Sequence, residues 1–257
     1  MLLFAFAALQ SPQAASPPAI QQTPVIRTTS AQSPDAVAAR QAAGLSLAQL
    51  LFPIDRQKAL LDRAARSDIR SSLLKDEGFV AMEAETPGLL AAILDAMIPV
   101  LHRSIEHQLP GYHRGIAAIY ARHMTIAELG DAQRFFSSPS GQSLVTKVND
   151  NTSFSTIIDQ ALVDPDAPVR RADIDKTKND AAQRTVDSLT GAELAATAQG
   201  LIGKSWVTRL PAVRSDVSAF DEKFYNASDP ALDKELDGVL ERAMTAFLAK
   251  HEKSTRK

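Results

Sequence analysis

Two stretches decide the fold: Thr125–Val148, TIAELGDAQRFFSSPSGQSLVTKV, and Thr190–Leu210, TGAELAATAQGLIGKSWVTRL. Each opens on Thr-x-x-Glu, Thr125 with Glu128 and Thr190 with Glu193. That spacing is a capping box, in which the Thr hydroxyl accepts the N–H three residues on and the Glu carboxylate takes the Thr amide. Behind each box the apolar residues recur at three and four, the period of a helix. In the first stretch the period runs to Phe136, Ser137-Ser138-Pro139 breaks it, and Pro139 falls in the first turn of a second helix, where its missing N–H costs no bond. The product is a helical hairpin. Laid over the first stretch with three residues missing at the turn, the second is identical at eight of 21 positions. Gly141 then pairs with Gly203, and both are expected where the two helices of a hairpin approach closely. The spacing predicts two related hairpins, an internal duplication packed as a stacked or pseudo-symmetric bundle.

The rest of the chain reads in the same period. Leu89, Leu90, Ile93, Leu94, Met97, Leu101 and Ile105 mark one face of a helix from Pro87 to Gln108, capped by Thr86 and kinked at Pro99. Leu109-Pro110-Gly111 is expected to break the chain before a helix carrying Tyr112, Ile116, Ile119 and Tyr120. Asp55–Leu74 reads as an amphipathic helix ended by the Asp76-Glu77-Gly78 turn. A helix ending at Val163 is separated by Pro165 and Pro168 from one starting at Arg171, and Asp229-Pro230 opens the last. No stretch alternates long enough for a strand. The expected fold class is all-α, a bundle of about nine helices beyond Gly44. Tyr112, Tyr120, Phe135, Phe136, Trp206, Phe220, Phe224 and Tyr225 stand at helical spacing and are expected to fill the core.

In 257 residues, 45% are hydrophobic, 23% are charged and the net charge is −2, the profile of a globular chain and not of a dedicated nucleic-acid binder. The absence of cysteine excludes disulfides, thiolate nucleophiles and Cys-ligated metal clusters. Leu2–Leu9 is an apolar run followed by Ala14, Ala15 and Ser16, so residues 1–15 are expected to be a signal peptide, although no Lys or Arg precedes the run. The run is far too short to span a bilayer, and no transmembrane segment is expected. Residues 16–43, rich in Pro, Gln and Ser, are expected to form a disordered tether with a short helix from Asp35 to Ala43 stopped by Gly44. Two helical regions follow, 44–168 and 169–257. The expected location is periplasmic or secreted.

Ile116–Val148 carries a tyrosine helix with Tyr120, then Thr125, Glu128 and Leu129, the pair Phe135-Phe136, Ser138-Pro139 with Gly141, and Lys147. This pattern resembles a bacterial domain-of-unknown-function family, number 2059, matched best over residues 95–163. The resemblance implies a small exported helical protein whose molecular role is not established, and it brings no catalytic residue. The second stretch lacks the aromatic pair and the Ser-Pro turn.

Candidates for chemistry are few. His102 and Glu106 stand four apart on one helix face and His123 follows; together they are the candidate metal ligands, although a metal centre needs about four groups converging. A solvated polar face is the plainer account. Gly200-Leu-Ile-Gly203-Lys204-Ser205 resembles the end of a phosphate loop, but Ala198 stands where that loop needs glycine and a helix, not a strand, precedes it. There is no G-x-S-x-G elbow. Phe135 and Phe136 are adjacent and so point different ways; with Tyr120 they are the candidate contact surface. These features favour a non-catalytic protein- or peptide-binding module of the bacterial cell envelope, with no cofactor and no nucleic-acid partner. The alternative is a metal-dependent hydrolase or metal-binding protein using His102, Glu106 and His123. Oligomeric state is left open by the sequence.

Overall fold

Residues 33–164 and 167–255 are described by a computed structural model, and every element among them is helical. In chain order these are α1 (Pro34–Leu51), α2 (Ile54–Arg63), a π-helical turn (Ala64–Ile69), α3 (Arg70–Leu73), α4 (Glu77–Glu85) and α5 (Leu89–His123). Then come α6 (Ile126–Ser137), α7 (Pro139–Asp150), α8 (Ser155–Val163), α9 (Arg171–Ser188) and α10 (Gly191–Leu201). A 3-10 turn (Ser205–Arg209) leads into α11 (Leu210–Tyr225), and α12 (Pro230–Thr255) closes the chain. The signal peptide expected over residues 1–15 and most of the tether lie outside the described residues. Among the described residues no single helix is long and apolar enough to cross a membrane.

The spine is α5, 35 residues long, against which α1, α2, α11 and α12 pack. Both prolines expected to interrupt it, Pro99 and Pro110, lie inside the one helix, so the break at Leu109-Pro110-Gly111 is not made. Each proline removes one backbone bond, but Ile98, Val100, Leu109 and Tyr112 beside them are buried, and that packing holds the helix through both sites. The start also differs. Gly88, at φ 91°, precedes Leu89 as the N-cap, while Thr86 ends α4. Only a residue tolerant of the left-handed region takes that corner without strain. Gly44 likewise does not stop a helix; α1 runs through it to Leu51. A Cβ there would stand 2.7 Å from the Ala117 carbonyl oxygen, so this glycine lets α1 cross α5 at backbone contact. Leu47, Ala48 and Leu51 on the same face are fully buried, which makes α1 part of the core and carries the folded region upstream of residue 44.

The hairpin α6–α7 forms as its sequence predicts. Thr125 and Glu128 close a full capping box, Ser138 caps α7 by accepting from the Gly141 N–H (3.2 Å), and Pro139 occupies its first turn. At Gly141 a Cβ would lie 2.1 Å from the Phe135 carbonyl oxygen, so the close approach is real. The second stretch keeps the box, Thr190 with Glu193, but not the turn. Gly203 has φ 75° and nothing within 4 Å of where its Cβ would stand; it is a corner glycine, not a packing one. The α10 helix lies on α7, and the 3-10 turn lies on α6. The two stretches therefore hold each other. Arg209 Nε donates to Glu128 (3.3 Å), Lys147 pairs with Glu193 (3.3 Å), and Gly200 faces the Phe135 ring.

Candidate functional site

A cleft of about 710 Å³ opens between the α2 end of the molecule and the segment joining α11 to α12. Its apolar lining follows from the helical period. Leu60, Leu61 and Ala64 come from the inner face of α2 and the π turn, Leu101, Ile105 and Leu109 from the matching face of α5, and Phe154 and Ile158 from the start of α8. Phe224, Tyr225 and Leu232 close the other side. The cleft lies within the size range of small-molecule sites, about 300–1,000 Å³.

Polar side chains also line it, among them Gln57, Ser104, Gln108, Asn149, Asn226 and Asp229. On the side of the α11–α12 segment, Asp229 caps α12 by accepting from the Leu232 N–H (3.1 Å) and takes a bond from Gln108 Nε2 (3.2 Å). Asp233 lines the same side. On the α7 side stands Asn149, 6% exposed, whose side-chain Nδ2 has no hydrogen-bond partner. Its carbonyl oxygen is held by the Arg63 guanidinium, which also reaches the Thr152 carbonyl (3.2 Å) and Asp150 (3.3 Å). A buried donor left unpaired costs about 1–3 kcal/mol, so Asn149 is an anomaly in an otherwise satisfied wall.

Behind the cleft, Tyr112 donates from its hydroxyl to Asp221 Oδ1 (3.0 Å) and stacks edge-on against Phe52 and Phe224. Burial, and then the Asp221 carboxylate, push that phenol well above its ordinary range, so it remains a donor. Asp221 also pairs with Lys178 at 2.8 Å, both side chains being essentially fully buried. Burial lowers the Lys178 pKa, while Asp221 and Asp175 act to raise it. Lys178 donates to Ser218 (3.0 Å), and Ser218 donates to Asp175 (2.6 Å). A lysine beside a serine resembles a nucleophile and its base, but Ser218 is fully buried and no substrate reaches it.

The residues singled out in the sequence are not brought together. His102 Nε2 sits 2.7 Å from Asp62 and Glu106 pairs with Lys58, which holds its carboxyl below the usual range. His123, about 32 Å further along the same helix, pairs with Asp216 at 2.8 Å, and Asp216 is held low by that bond and by Arg122. The metal set His102, Glu106 and His123 is thus overturned by helix geometry, and among the described residues no three His, Cys, Asp or Glu converge as ligands. The contact surface is overturned as well. Tyr120 and Phe136 are buried, and Phe135 is 6% exposed. Phe135 and Phe136 meet edge-to-face, 5.0 Å between ring centroids, and the 3-10 turn brings Trp206 within 5.9 Å of both rings and covers them. Tyr225, expected in the core, is exposed at the cleft mouth.

Asn149 and the π turn were missed. The available signal was the position of Asn149 in the helical period of α7, on the same side as Val145 and Val148. Nothing in Ala64–Ile69 marks a π turn by composition.

Residues 113–155 match the model of a family described as an uncharacterized protein conserved in bacteria, domain-of-unknown-function family 2059. The match covers the last third of α5, the hairpin α6–α7 and the entry to α8. No curated protein and no solved structure matches the chain.

Proposed function

We propose that this chain is a non-catalytic binding protein of the bacterial cell envelope, which seats an apolar part of a protein or peptide partner in the cleft. The observation that carries the reading is the cleft itself: about 710 Å³ over a floor of Leu, Ile and Phe, in a molecule where His102 and His123 are each spent on an aspartate. Large apolar concavities with a few convergent polar groups are the default ligand sites of folded chains. Placement in the envelope rests on Leu2–Leu9 with the small residues behind it, and on the bacterial family matched by residues 113–155.

The test uses an environment-sensitive dye such as bis-ANS on the full chain. Saturable binding is expected at one site, lost in Leu61→Trp, which fills the cleft from the α2 side. Unchanged dye affinity in that variant sinks the cleft as binding site. Fractionation of the native-start chain, with sequencing of its amino end, tests export; intact protein confined to the cytosol sinks it.

A further inference from the structure

We propose that the cleft takes a peptide segment that lays bulky apolar side chains on the floor and turns a Lys or Arg toward Asp229 and Asp233. This rests on the cleft being the binding site and names the chemistry of what enters it. Charge decides the sign. Asp229 and Asp233 are the charged residues of the lining, and both are acids. The Asp229 carboxylate accepts from the Leu232 N–H (3.1 Å) and from Gln108 Nε2 (3.2 Å), both neutral, so its charge is not cancelled. Asp233 is exposed and stands in no ion pair among the described residues, whereas Glu235 nearby is held by Arg103. The carboxyl end of α11 at Tyr225 brings the negative end of a helix dipole to the same side, while the positive start of α12 is met by Asp229 itself. The uncharged polar groups suit a peptide. Residues 227–229 lie outside any helix, and Ser228 enters no backbone hydrogen bond among the described residues. Gln57 lines the cleft from the α2 side. The Ser228 backbone and the Gln57 amide each offer a donor and an acceptor, which a peptide group answers and a hydrocarbon chain does not.

The experiment titrates acetyl-Phe-Leu-Lys-Leu-Phe-amide into the full chain by calorimetry at physiological ionic strength, beside the same peptide with Gln or Glu in place of Lys, and palmitate. The Lys peptide is expected to bind about fivefold more tightly than the Gln peptide, as one exposed ion pair allows, and the Glu peptide to bind more weakly still. Asp233→Asn should shrink that preference and Asp233→Lys should erase it. Asp35→Lys makes the same change of net charge at the far end of α1, about 24 Å along the helix from Leu51 and the cleft residue Phe52. It should leave the order of the peptides unchanged, because that distance exceeds the screening length. Leu61→Trp should abolish peptide binding. Equal affinity for the three peptides, a preference undiminished in Asp233→Lys, or one erased equally by Asp35→Lys overturns the proposal. Failure of every peptide to bind overturns it too, and leaves the cleft a binding site if palmitate or bis-ANS still enters it; dye binding that survives Leu61→Trp removes both.

A second inference stands on other contacts. We infer that the stretches Thr125–Val148 and Thr190–Leu210 are two copies related by a local twofold axis passing between Phe135 and Gly200. The sequence overlay pairs Glu128 with Glu193 and Lys147 with Arg209, and the ion pairs are reciprocal: Glu128 to Arg209 and Glu193 to Lys147, each at 3.3 Å. That exchange is what an isologous interface requires. On the axis an equivalent pair meets itself, and Phe135 and Gly200, which the overlay aligns, are in contact. The test exchanges them. Phe135→Gly and Gly200→Phe should each lower Tm, and the double variant should recover most of the loss, the ring filling the same space from the other side. Losses that merely add overturn the axis.

Discussion

Thr125–Glu128 and Thr190–Glu193 close the same two bonds: Glu N–H to Thr hydroxyl at 3.2 Å in both, and Thr N–H to Glu carboxylate at 2.8 and 2.9 Å. Their settings differ. Glu128 is 7% exposed, and though burial pushes its carboxyl up, Thr125 and Arg209 together hold it below the ordinary value. Glu193 is half-buried and is held low chiefly by the Thr190 amide and hydroxyl, with help from Lys147. The turns diverge further, Gly141 lying against backbone and Gly203 at a left-handed corner in open space. A cap is local chemistry and survives a change of surroundings; a packing glycine belongs to its neighbours.

The sharpest way to break this contrast is at the glycines. Gly141→Ala should destabilise by on the order of 3 kcal/mol, since its methyl would meet a carbonyl that cannot swing aside. Gly203→Ala should cost only the left-handed strain, about 1–2 kcal/mol. Chemical denaturation of both variants checks the order, and equal losses would erase the distinction. At the boxes, Glu128→Ala should cost about 1–2 kcal/mol, because it strands the Thr125 amide and loosens Arg209, and Glu193→Ala should cost less. Thr125→Ala and Thr190→Ala should lose about 1 kcal/mol each and match one another, the geometry being shared. Acid sensitivity is the smallest expected effect. Both glutamates have folded pKa values below the unfolded one, so their contribution is complete above the ordinary carboxyl range and fades as pH falls through the lowered values. Tm measured from neutral pH downward should show that loss, flattened in a Glu128→Gln, Glu193→Gln double variant.

The helical class, both capping boxes, the Ser138-Pro139 turn and the Asp229 cap were legible because each depends on residues within four positions. What failed depended on partners far along the chain. Pro110 looked like a break because nothing nearby announces the packing of α1, α2 and α11 that keeps α5 intact. Gly44 looked like a stop because Ala117, which it touches, lies 73 residues away. Phe135 and Phe136 looked partly free because Trp206 covers them from the second stretch. The metal set failed for a simpler reason: His102 and His123 share one rigid rod, and a helix does not fold back on itself. The cleft, assembled from α2, α5, α8 and the α11–α12 segment, has no contiguous trace in the sequence at all.

Lys178 and Asp221 sit on α9 and α11, sealed from water and touching at 2.8 Å. Removing either charge strands the other, whereas an apolar pair of similar volume would be tolerated. These two positions are therefore bound in descent: drift at one is blocked until the other moves, and Tyr112, bonded to the same carboxylate, ties the back of the cleft into that shared fate.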